Sequence, residues 1–328
     1  MKYLSLALLA LAPCTAAFAE PAAPYTLRPE VKAFVRELVE RHGFAERELA
    51  RLFTHVKRQD AVLTAIQLRP SGVRSWTDYR AAFVNHERVQ GGLKFWNRHR
   101  ATLARAQTRF GVPEEVIVAI LGIETFYGRR TGHWRVIDSL ATLAFDYPPR
   151  APYFRAELEN FLLFTRDRRL DALTVRGSYA GAIGIPQFMP GTYRRYAIDF
   201  DGDGACDLRD AADAIGSVAN FLKQHGWRNG EPALLDALVS GADLSAYADG
   251  GLRPRYSVDE LESAGAHAYG VAPADERAVL VELQTPGVPS EFRIGFHNFW
   301  VITRYNHSAF YASAVIDLAR TLRAAQSL

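Results

Sequence analysis

The sequence is poor in cysteine and in net charge, and both shortages exclude classes of protein. Only 2 of the 328 residues are Cys, too few for the disulfide framework of a small secreted domain. The 39 Lys and Arg nearly balance the 36 Asp and Glu, for a net charge of +3, so the composition gives no global attraction to nucleic acid. With 48% hydrophobic residues, the chain is too apolar to be disordered. We therefore expect a globular protein that has no nucleic-acid partner.

The N-terminus, residues 1–19, has the pattern of a signal peptide. Lys2 precedes an apolar run at 4–11, and the Ala-Phe-Ala triplet at 17–19 is typical of a cleavage site. A membrane-spanning helix needs about 20 apolar residues, so we expect export and not anchoring. A Pro precedes Cys14, which is atypical of a lipoprotein signal, so a lipid-anchored form is the less favoured alternative.

Hydrophobic spacing predicts a mainly α, or α+β, fold. Apolar residues recur at helical intervals in 31–38 and 49–56, and longer helices are expected at about 87–109 and at 113–127. Beyond 250, short runs rich in β-formers alternate with Gly and Pro, which predicts a small inserted sheet. The expected parts are an N-terminal helical lobe at 20–110, a helical core at 111–240, a β-rich insertion at 241–297 and a helical segment at 298–328.

Glu124 is unusual because it falls among aliphatic residues of a predicted helix. Its nearest helical neighbours include Ile120 and Leu121, and a charged carboxylate there costs several kcal/mol unless it is paired or protonated. One interpretation is an ion pair with a nearby arginine, for which the candidates are Arg129, Arg130 and Arg135. The other is a carboxyl group whose pKa is raised by desolvation, as a general acid requires at neutral pH. Helical spacing alone does not separate the two.

A segment of small residues at 177–190 predicts a close approach of backbone to a ligand. It combines glycines with Ser178, Gln187 and Phe188, and amide groups beside aromatic rings are what a sugar site uses. The tyrosines that would complete such a site are Tyr79, Tyr153, Tyr305 and Tyr311. Each one taken singly is also consistent with an ordinary half-buried aromatic residue.

The stretch 199–210 has the spacing of an EF-hand calcium loop. Asp occupies positions 1, 3, 5, 9 and 12, and Gly204 occupies position 6, where the loop needs a sharp turn. The predicted ligands include Asp199, Asp201, Asp203 and the carbonyl of Ala205. Asp210 at position 12 is shorter than the usual Glu, so the residue that closes the loop stays open. An all-oxygen site of this kind favours a structural Ca²⁺.

Blocks of sequence across nearly the whole mature chain resemble the lytic murein transglycosylase B family, glycoside hydrolase family 103. They are Gly-Ile-Glu-Thr-Phe-Tyr-Gly at 122–128, Leu-Ala-Thr-Leu-Ala-Phe-Asp-Tyr-Pro at 140–148, the segment 177–190, Asp-Ala-Ile-Gly-Ser-Val-Ala-Asn-Phe at 213–221 and Val-Ile-Thr-Arg-Tyr-Asn-His-Ser at 301–308. Their number and order make the resemblance specific.

The resemblance implies a periplasmic, monomeric enzyme with a lysozyme-like core. It would cleave the β-1,4 bond between N-acetylmuramic acid and N-acetylglucosamine without hydrolysis. Its partners would be peptidoglycan strands and cell-wall synthases. Glu124 matches the acid/base of the family, and Asp213 matches the residue that closes the metal loop, which we favour over Asp210. The residues that match its saccharide groove are Tyr79, Tyr153, Ser178, Gln187, Phe188, Tyr305, Asn306 and Tyr311. The family often has two arginines after its Tyr-Pro, and here Pro149 replaces one while Arg150 keeps the other.

Two other functions stay open on the sequence. A hydrolytic muramidase would share every block above, but it pairs two carboxylates, and no second carboxylate is marked out; Asp138 and Asp146 are the nearest candidates. A catalytically inert peptidoglycan-binding protein would keep the groove without needing Glu124.

Overall fold

The structure, a computed structural model, describes residues 23–67, 75–240, 244–272 and 276–327. The expected signal peptide and Cys14 lie outside the described residues. Helices dominate the described parts, which confirms the mainly α fold. No helix in these parts is both long and apolar enough to cross a bilayer.

The helices and strands of the described residues are as follows. The α-helices are α1 (Pro29–His42), α2 (Glu46–Phe53), α3 (Asp60–Gln67), α4 (Trp76–Phe83), α5 (His86–Arg98), α6 (Arg100–Phe110), α7 (Glu114–Thr125), α8 (Val136–Asp146), α9 (Ala151–Asp167), α10 (Pro190–Tyr196), α11 (Ala211–Gln224), α12 (Val258–Ser263), α13 (His297–Ile302) and α14 (Ala309–Gln326). The strands are β1 (Trp134–Arg135), β2 (Arg176–Gly177), β3 (Leu234–Val239), β4 (Tyr256–Ser257), β5 (Ala266–Tyr269), β6 (Arg277–Leu283) and β7 (Glu291–Gly295).

The chain divides into two compact units at His55 and Val56. In the first unit, α1 buries the apolar stripe predicted at 31–38 and ends at Gly43, whose φ of 66° suits a glycine cap. The helices α3 to α6, which we expected in the N-terminal lobe at 20–110, group with the second unit instead. The lobe boundary of the sequence analysis therefore does not coincide with the division of the structure.

The helix expected at 87–109 is two helices, and this prediction was wrong. His99 ends α5 and precedes α6 with φ −110° and ψ 22°, which is not helical. Its ring packs on Phe95 at a centroid distance of 4.6 Å. The hydrophobic spacing carries across the break because both helices bury a face, so spacing alone did not show it.

Helix α7 is central to the second unit and is buried along most of its length. Its residues from Val116 to Ile123 are all buried, and α5, α6, α11 and α14 pack around it. The helix expected to reach 127 ends at Thr125, because Phe126 and Tyr127 have φ of 53° and 60°. The left-handed turn brings the Tyr127 ring back over Gly122, where a Cβ would lie 2.5 Å from the tyrosine hydroxyl. Gly122 is therefore required for this helix end.

The predicted sheet has five antiparallel strands in the order β4-β6-β7-β3-β5. Strand β3 precedes the expected start of the insertion at 241, so the sheet draws on residues assigned to the core. One face packs on α12 through apolar side chains that include Leu261, Leu280 and Ile294. The runs of β-formers at 255–258 and 278–283 correspond to β4 and β6, as predicted.

A buried ion pair joins this sheet to two helices of the core. Arg293 of β7 donates to both oxygens of Asp317 of α14, at 2.7 and 3.0 Å, and these side chains are 7% and 5% exposed. Arg80 of α4 donates to the same carboxylate at 2.7 Å. Trp76 of α4 donates its indole N–H to Glu291 of β7 at 2.9 Å. The sheet thus fixes α4 against α14.

Removing the charge of Asp317 should destabilise the second unit. Asp317→Asn leaves the buried Arg293 without its buried anion and with only the exposed Asp236 and Glu291, each at 3.5 Å, and breaking a buried pair in this way costs about 3 kcal/mol. We expect the free energy of unfolding in urea to fall by about that amount. Asp236→Asn is the control, because Asp236 is 57% exposed and a surface pair contributes less than about 1 kcal/mol. Equal losses of stability in the two variants would contradict the conclusion that the buried pair of Arg293 and Asp317 stabilises this unit.

Candidate functional site

Glu124 lies in the last turn of α7 and is half-buried. Burial raises the pKa of its carboxyl group from 4.5 to about 7, against a hydrogen bond from Tyr311 that lowers the pKa. The Tyr311 hydroxyl donates to Oε1 at 2.6 Å. The group remains partly accessible, so it is desolvated without being sealed from a ligand.

The ion-pair interpretation of Glu124 is wrong for the described residues. Arg135 binds Asp138 at 2.7 Å, and Arg129 and Arg130 lie over the Phe126 ring at 5.0 and 5.6 Å. Within the described ranges no arginine pairs with Glu124. The carboxyl group is therefore compensated by protonation and by a neutral donor.

Three of the predicted tyrosines gather around Glu124. Tyr311 contacts it directly, and the negative charge of Glu124 adds to burial in raising the pKa of Tyr79, to about 12, and that of Tyr305, to well above 10. The rings of Tyr305 and Tyr311 are stacked, with centroids 6.3 Å apart and planes inclined by 13°. The three come from α4, from the turn after α13 and from α14, which are far apart in sequence.

Aromatic packing positions Tyr79 and Tyr305. The ring of Tyr79 lies 4.9 Å from Phe83 and 5.7 Å from Phe310. Tyr305 donates its hydroxyl to the carbonyl of Pro186 at 2.5 Å, and the ring of Phe188 lies 5.8 Å from its own. Phe188 itself is only 2% exposed. Phe188 packs against Tyr305, and its contact with a ligand stays a prediction.

The segment 177–190 is tied to the end of α7. Thr125, the residue after Glu124, donates its hydroxyl to the carbonyl of Ile185 at 2.8 Å. Gln187 has a φ of 53°. Its side-chain nitrogen Nε2 donates to the carbonyls of Thr131 and Gly184 at 3.1 and 2.9 Å. Ser178 accepts from the amide of Ala182 at 3.0 Å. The segment is thus held by side chains that sequence analysis assigned to sugar binding.

Arg150, Tyr153 and Asn306 are exposed, and the structure does not join them to Glu124. The Arg150 guanidinium lies 4.6 Å above the Tyr153 ring, at the start of α9. Asn306 lies in the turn before α14. In the described parts of the chain, no hydrogen bond or ion pair links these three side chains to Glu124, so their roles stay predictions.

Sequence reasoning missed Arg88, which is buried beside the end of α7. Its Nε donates to the carbonyl of Gly122 at 3.0 Å, and its Nη1 donates to that of Ala82 at 2.6 Å. The Gly122 carbonyl also accepts from the amide of Phe126, and a cation at a helix C-terminus interacts favourably with the negative end of the helix dipole. Tyr127 closes this arrangement by donating to the Arg88 carbonyl at 2.9 Å. No spacing in the sequence marks Arg88, because its partners are tertiary.

Both candidate second carboxylates have other partners. Asp138 is buried and accepts from Arg135, from the backbone of Lys57 at 3.0 Å and from Gln59 at 3.1 Å. Asp146 lies 3.8 Å from Arg58. Among the described residues, no second Asp or Glu contributes to the pKa shift of Glu124. The site therefore has one acid.

The loop at 199–213 brings three carboxylates together. Oxygens of Asp199, Asp201 and Asp213 lie within 4.8 Å of one another. Gly202 and Gly204 have φ of 85° and 89°, and their amides donate to Asp199 at 2.6 and 2.9 Å. The carboxylate of Asp203 lies outside the group of three and accepts from the amide of Ala205 at 2.7 Å.

The start of α11 places Asp210 and Asp213 differently. Asp210 is the N-cap, and it accepts from the amides of Ala212 and Asp213 at 2.6 and 3.4 Å. Asp213 points into the loop, where its two oxygens accept from Phe200 at 2.7 Å and from Asp207 at 2.6 Å. It is 2% exposed, and no Lys or Arg of the described residues pairs with it. A buried carboxylate among like charges is what a bound cation would compensate.

Comparisons with known proteins agree with one family. The transglycosylase SLT domain matches residues 26–320. The membrane-bound lytic murein transglycosylase B of Escherichia coli (strain K12) is 41% identical over 307 residues, which cover 91% of this chain and 84% of that protein.

Solved structures are similar over the same length. The soluble lytic transglycosylase SltB1 from Pseudomonas aeruginosa is 44% identical with a TM-score of 0.86, over 92% of this chain and 100% of that one. The Escherichia coli lytic transglycosylase Slt35 in complex with calcium is 40% identical with a TM-score of 0.82, over 92% and 95%. SltB3 from Pseudomonas aeruginosa in complex with NAG-NAM-pentapeptide is 32% identical with a TM-score of 0.78, over 90% and 79%.

The hydrogen bond from Tyr311 should set the pKa of Glu124. Because the hydroxyl stabilises the charged form, Tyr311→Phe should raise the carboxyl pKa further above about 7. The measurement is a ¹³C NMR titration of the Glu124 carboxyl carbon. Tyr305→Phe is the control, since that hydroxyl donates to Pro186 and its removal should shift the value less. An unchanged or lowered pKa in Tyr311→Phe would refute the assignment.

Proposed function

This chain belongs to the transglycosylase SLT domain family of lytic murein transglycosylases. We therefore propose that the enzyme cleaves peptidoglycan with Glu124 alone as both acid and base. The bond cleaved joins N-acetylmuramic acid to N-acetylglucosamine, and the product is a 1,6-anhydromuramyl end. The observation that carries the proposal is a half-buried carboxyl group with a pKa of about 7 and no second acid acting on it among the described residues.

In the first step, protonated Glu124 gives its proton to the glycosidic oxygen as the bond to C1 breaks. The acetamido group of the muramic acid stabilises the positive charge that develops at C1. Tyr311 occupies Oε1 of Glu124, which leaves Oε2 to face the substrate. Tyr311 then stabilises the carboxylate that this step creates, because hydrogen bonds to a charged acceptor are the stronger ones.

In the second step, the carboxylate of Glu124 takes the proton from the C6 hydroxyl of the same sugar while that oxygen bonds to C1. Glu124 is thereby returned to its protonated form, and no water is consumed. The tethered hydroxyl has a large effective concentration compared with outside water. One residue with a pKa near neutrality suits both steps, since it must gain and lose a proton in each cycle.

We assign the saccharide groove to the residues around and beside Glu124. The tyrosines Tyr79, Tyr305 and Tyr311 offer ring faces and hydroxyls at the reacting bond, and Ser178 and Gln187 border the adjoining surface. A relative, SltB3, binds NAG-NAM-pentapeptide, which supports a groove that takes both sugars and a peptide stem. Tyr153, Asn306 and Arg150 would contact parts of the strand further from the bond.

We propose a structural Ca²⁺ held by Asp199, Asp201 and Asp213. The donor set is all oxygen, which Ca²⁺ prefers, and the relative Slt35 has been solved in complex with calcium. Asp203 and the carbonyl of Ala205 would complete the coordination. The ion would hold the loop to the start of α11, and the roles of Glu124 and its tyrosines do not depend on it.

We infer that the protein acts in the periplasm after export. Peptidoglycan lies outside the cytoplasmic membrane, and the pattern at 1–19 is that of a signal peptide. A relative is named membrane-bound, so the acylation state of Cys14 decides between a free and an anchored form.

Mass spectrometry of a peptidoglycan digest tests the reaction. Muropeptides released by the enzyme should carry anhydromuramyl ends, lighter by one water than reducing ends and resistant to borohydride. Glu124→Gln is the matched control: it keeps the shape of the side chain and the fold, and it should release muropeptides at least about a hundredfold more slowly, because general acid–base catalysis supplies about 10² to 10⁴.

Two outcomes would contradict the proposal. Mainly reducible ends would show that water is the acceptor and would favour the hydrolytic muramidase. Product release by Glu124→Gln at close to the wild-type rate would show that another residue is the acid.

Calcium should raise the thermal stability of the protein. An ion that binds only the folded state adds about 2.7 kcal/mol at one hundred times its dissociation constant, or roughly 4 °C in a protein of this size. Asp201→Ala should remove most of this gain in a melting experiment with and without chelator, because it removes a ligand oxygen. Asp207→Ala is the control within the loop, because Asp207 pairs with Arg209 at 2.8 Å and should keep the gain. An unchanged melting temperature for the wild type on chelation would exclude the site.

A further inference from the structure

A shallow trough of about 500 Å³ adjoins the segment that carries Gln187. It is lined by Arg129, Arg130, His133, Ser178, Tyr179 and Gln187, among other residues. Both arginines are exposed, and neither has an acidic partner among the described residues. No Asp or Glu of the described chain lines the trough. We call this surface the arginine trough.

The trough and the site around Glu124 are built on the same two pieces of chain, the end of α7 and the segment 177–190. Its arginines follow α7 directly, and the hydroxyl of Thr125 holds that helix end to Ile185. Gln187 ties the trough to the same segment through the carbonyl of Thr131. Tyr305, one of the three tyrosines around Glu124, donates to the carbonyl of Pro186 in that segment. The segment that binds Thr125 and Tyr305 therefore also contributes residues to the trough.

The chemistry of the trough fits a flexible anionic chain and not another sugar alone. Unpaired guanidinium groups bind carboxylates through two parallel hydrogen bonds, while the Oε1 of Gln187 and the hydroxyl of Ser178 offer hydrogen bonds to peptide groups. The exposed ring of Tyr179 and the stacked rings of His133 and Trp134, 5.1 Å apart, add apolar surface. The substrate supplies such a chain, because each muramic acid carries a peptide stem with free carboxylates.

We propose that Arg129 and Arg130 bind the carboxylates of the peptide stem next to the bond that Glu124 cleaves. The inference rests on the proposed function and names the part of the substrate that this surface reads. A stem of up to five residues spans roughly 15–18 Å when extended, so its far carboxylates can reach a surface that begins one turn beyond Glu124. The arginines thereby give a preference for glycan strands that still carry their peptides.

The test compares two substrates that differ only in the stem. Intact peptidoglycan strands and the same strands stripped of peptides by an amidase are digested under equal conditions, and kcat/KM is measured on each. We expect Arg129→Ala/Arg130→Ala to lose about tenfold on intact strands, as for charge-assisted hydrogen bonds, and less than about twofold on stripped strands. Arg129→Lys/Arg130→Lys should recover part of the loss, since it keeps the charge but not the planar fork.

Arg100→Ala/Arg253→Ala is the matched control, because it removes two exposed arginines that do not line the trough. It should keep the wild-type preference for intact strands. An equal loss on both substrates, or no loss on intact strands, would overturn the inference. Activity of the double alanine variant on stripped strands shows that the fold and Glu124 remain intact. Failure of the wild type to make anhydromuramyl ends from either substrate would instead count against the proposed function.

Discussion

The proposed function requires Glu124 to keep its proton near neutral pH while its carboxyl group still reaches a substrate, and this requirement limits how every element around it packs. Desolvation comes from a helix whose residues 116–123 are all buried. Access comes from ending that helix one residue after Glu124, in a left-handed turn that only a glycine at 122 permits. Arg88 then donates a further hydrogen bond to the buried carbonyl of Gly122. The buried helix thus desolvates the carboxyl group of Glu124, and the abrupt end of the helix keeps that group accessible.

The same requirement has a cost in stability. The pKa of Glu124 rises from 4.5 in the unfolded chain to about 7 in the fold, so the folded state holds the proton more tightly. Stability is therefore unaffected below pH 4.5 and falls as the pH rises from there to 7, by about 3 kcal/mol in all. Contacts elsewhere must offset this loss. The buried pair of Arg293 and Asp317, which joins the sheet to α14, is one contact of suitable size, and it also fixes the helices that carry Tyr79 and Tyr311.

Local sequence pattern predicts much of the fold and the position of Glu124 in its helix, but it does not predict the residues that contact Glu124. The helical class, the glycine at the end of α1 and the runs that became β4 and β6 follow from periodicity and turn residues, which act over a few positions. The break at His99 was missed because apolar spacing continues across it. The contact between Glu124 and Tyr311 spans 187 residues, and the group of Asp199, Asp201 and Asp213 depends on how α11 begins. Such contacts are set by tertiary packing, which no local spacing encodes.

The tyrosines around Glu124 also bear on why water does not compete as the acceptor. A hydrolase needs a second group that can take a proton from water. Burial raises the pKa of Tyr79 to about 12 and those of Tyr305 and Tyr311 well above 10, so all three stay protonated at neutral pH. They can donate hydrogen bonds to a developing charge, but they cannot act as bases. In the proposed mechanism, Glu124 that has given up its proton is the one base at the bond among the described residues, and the tethered C6 hydroxyl reaches it before outside water does.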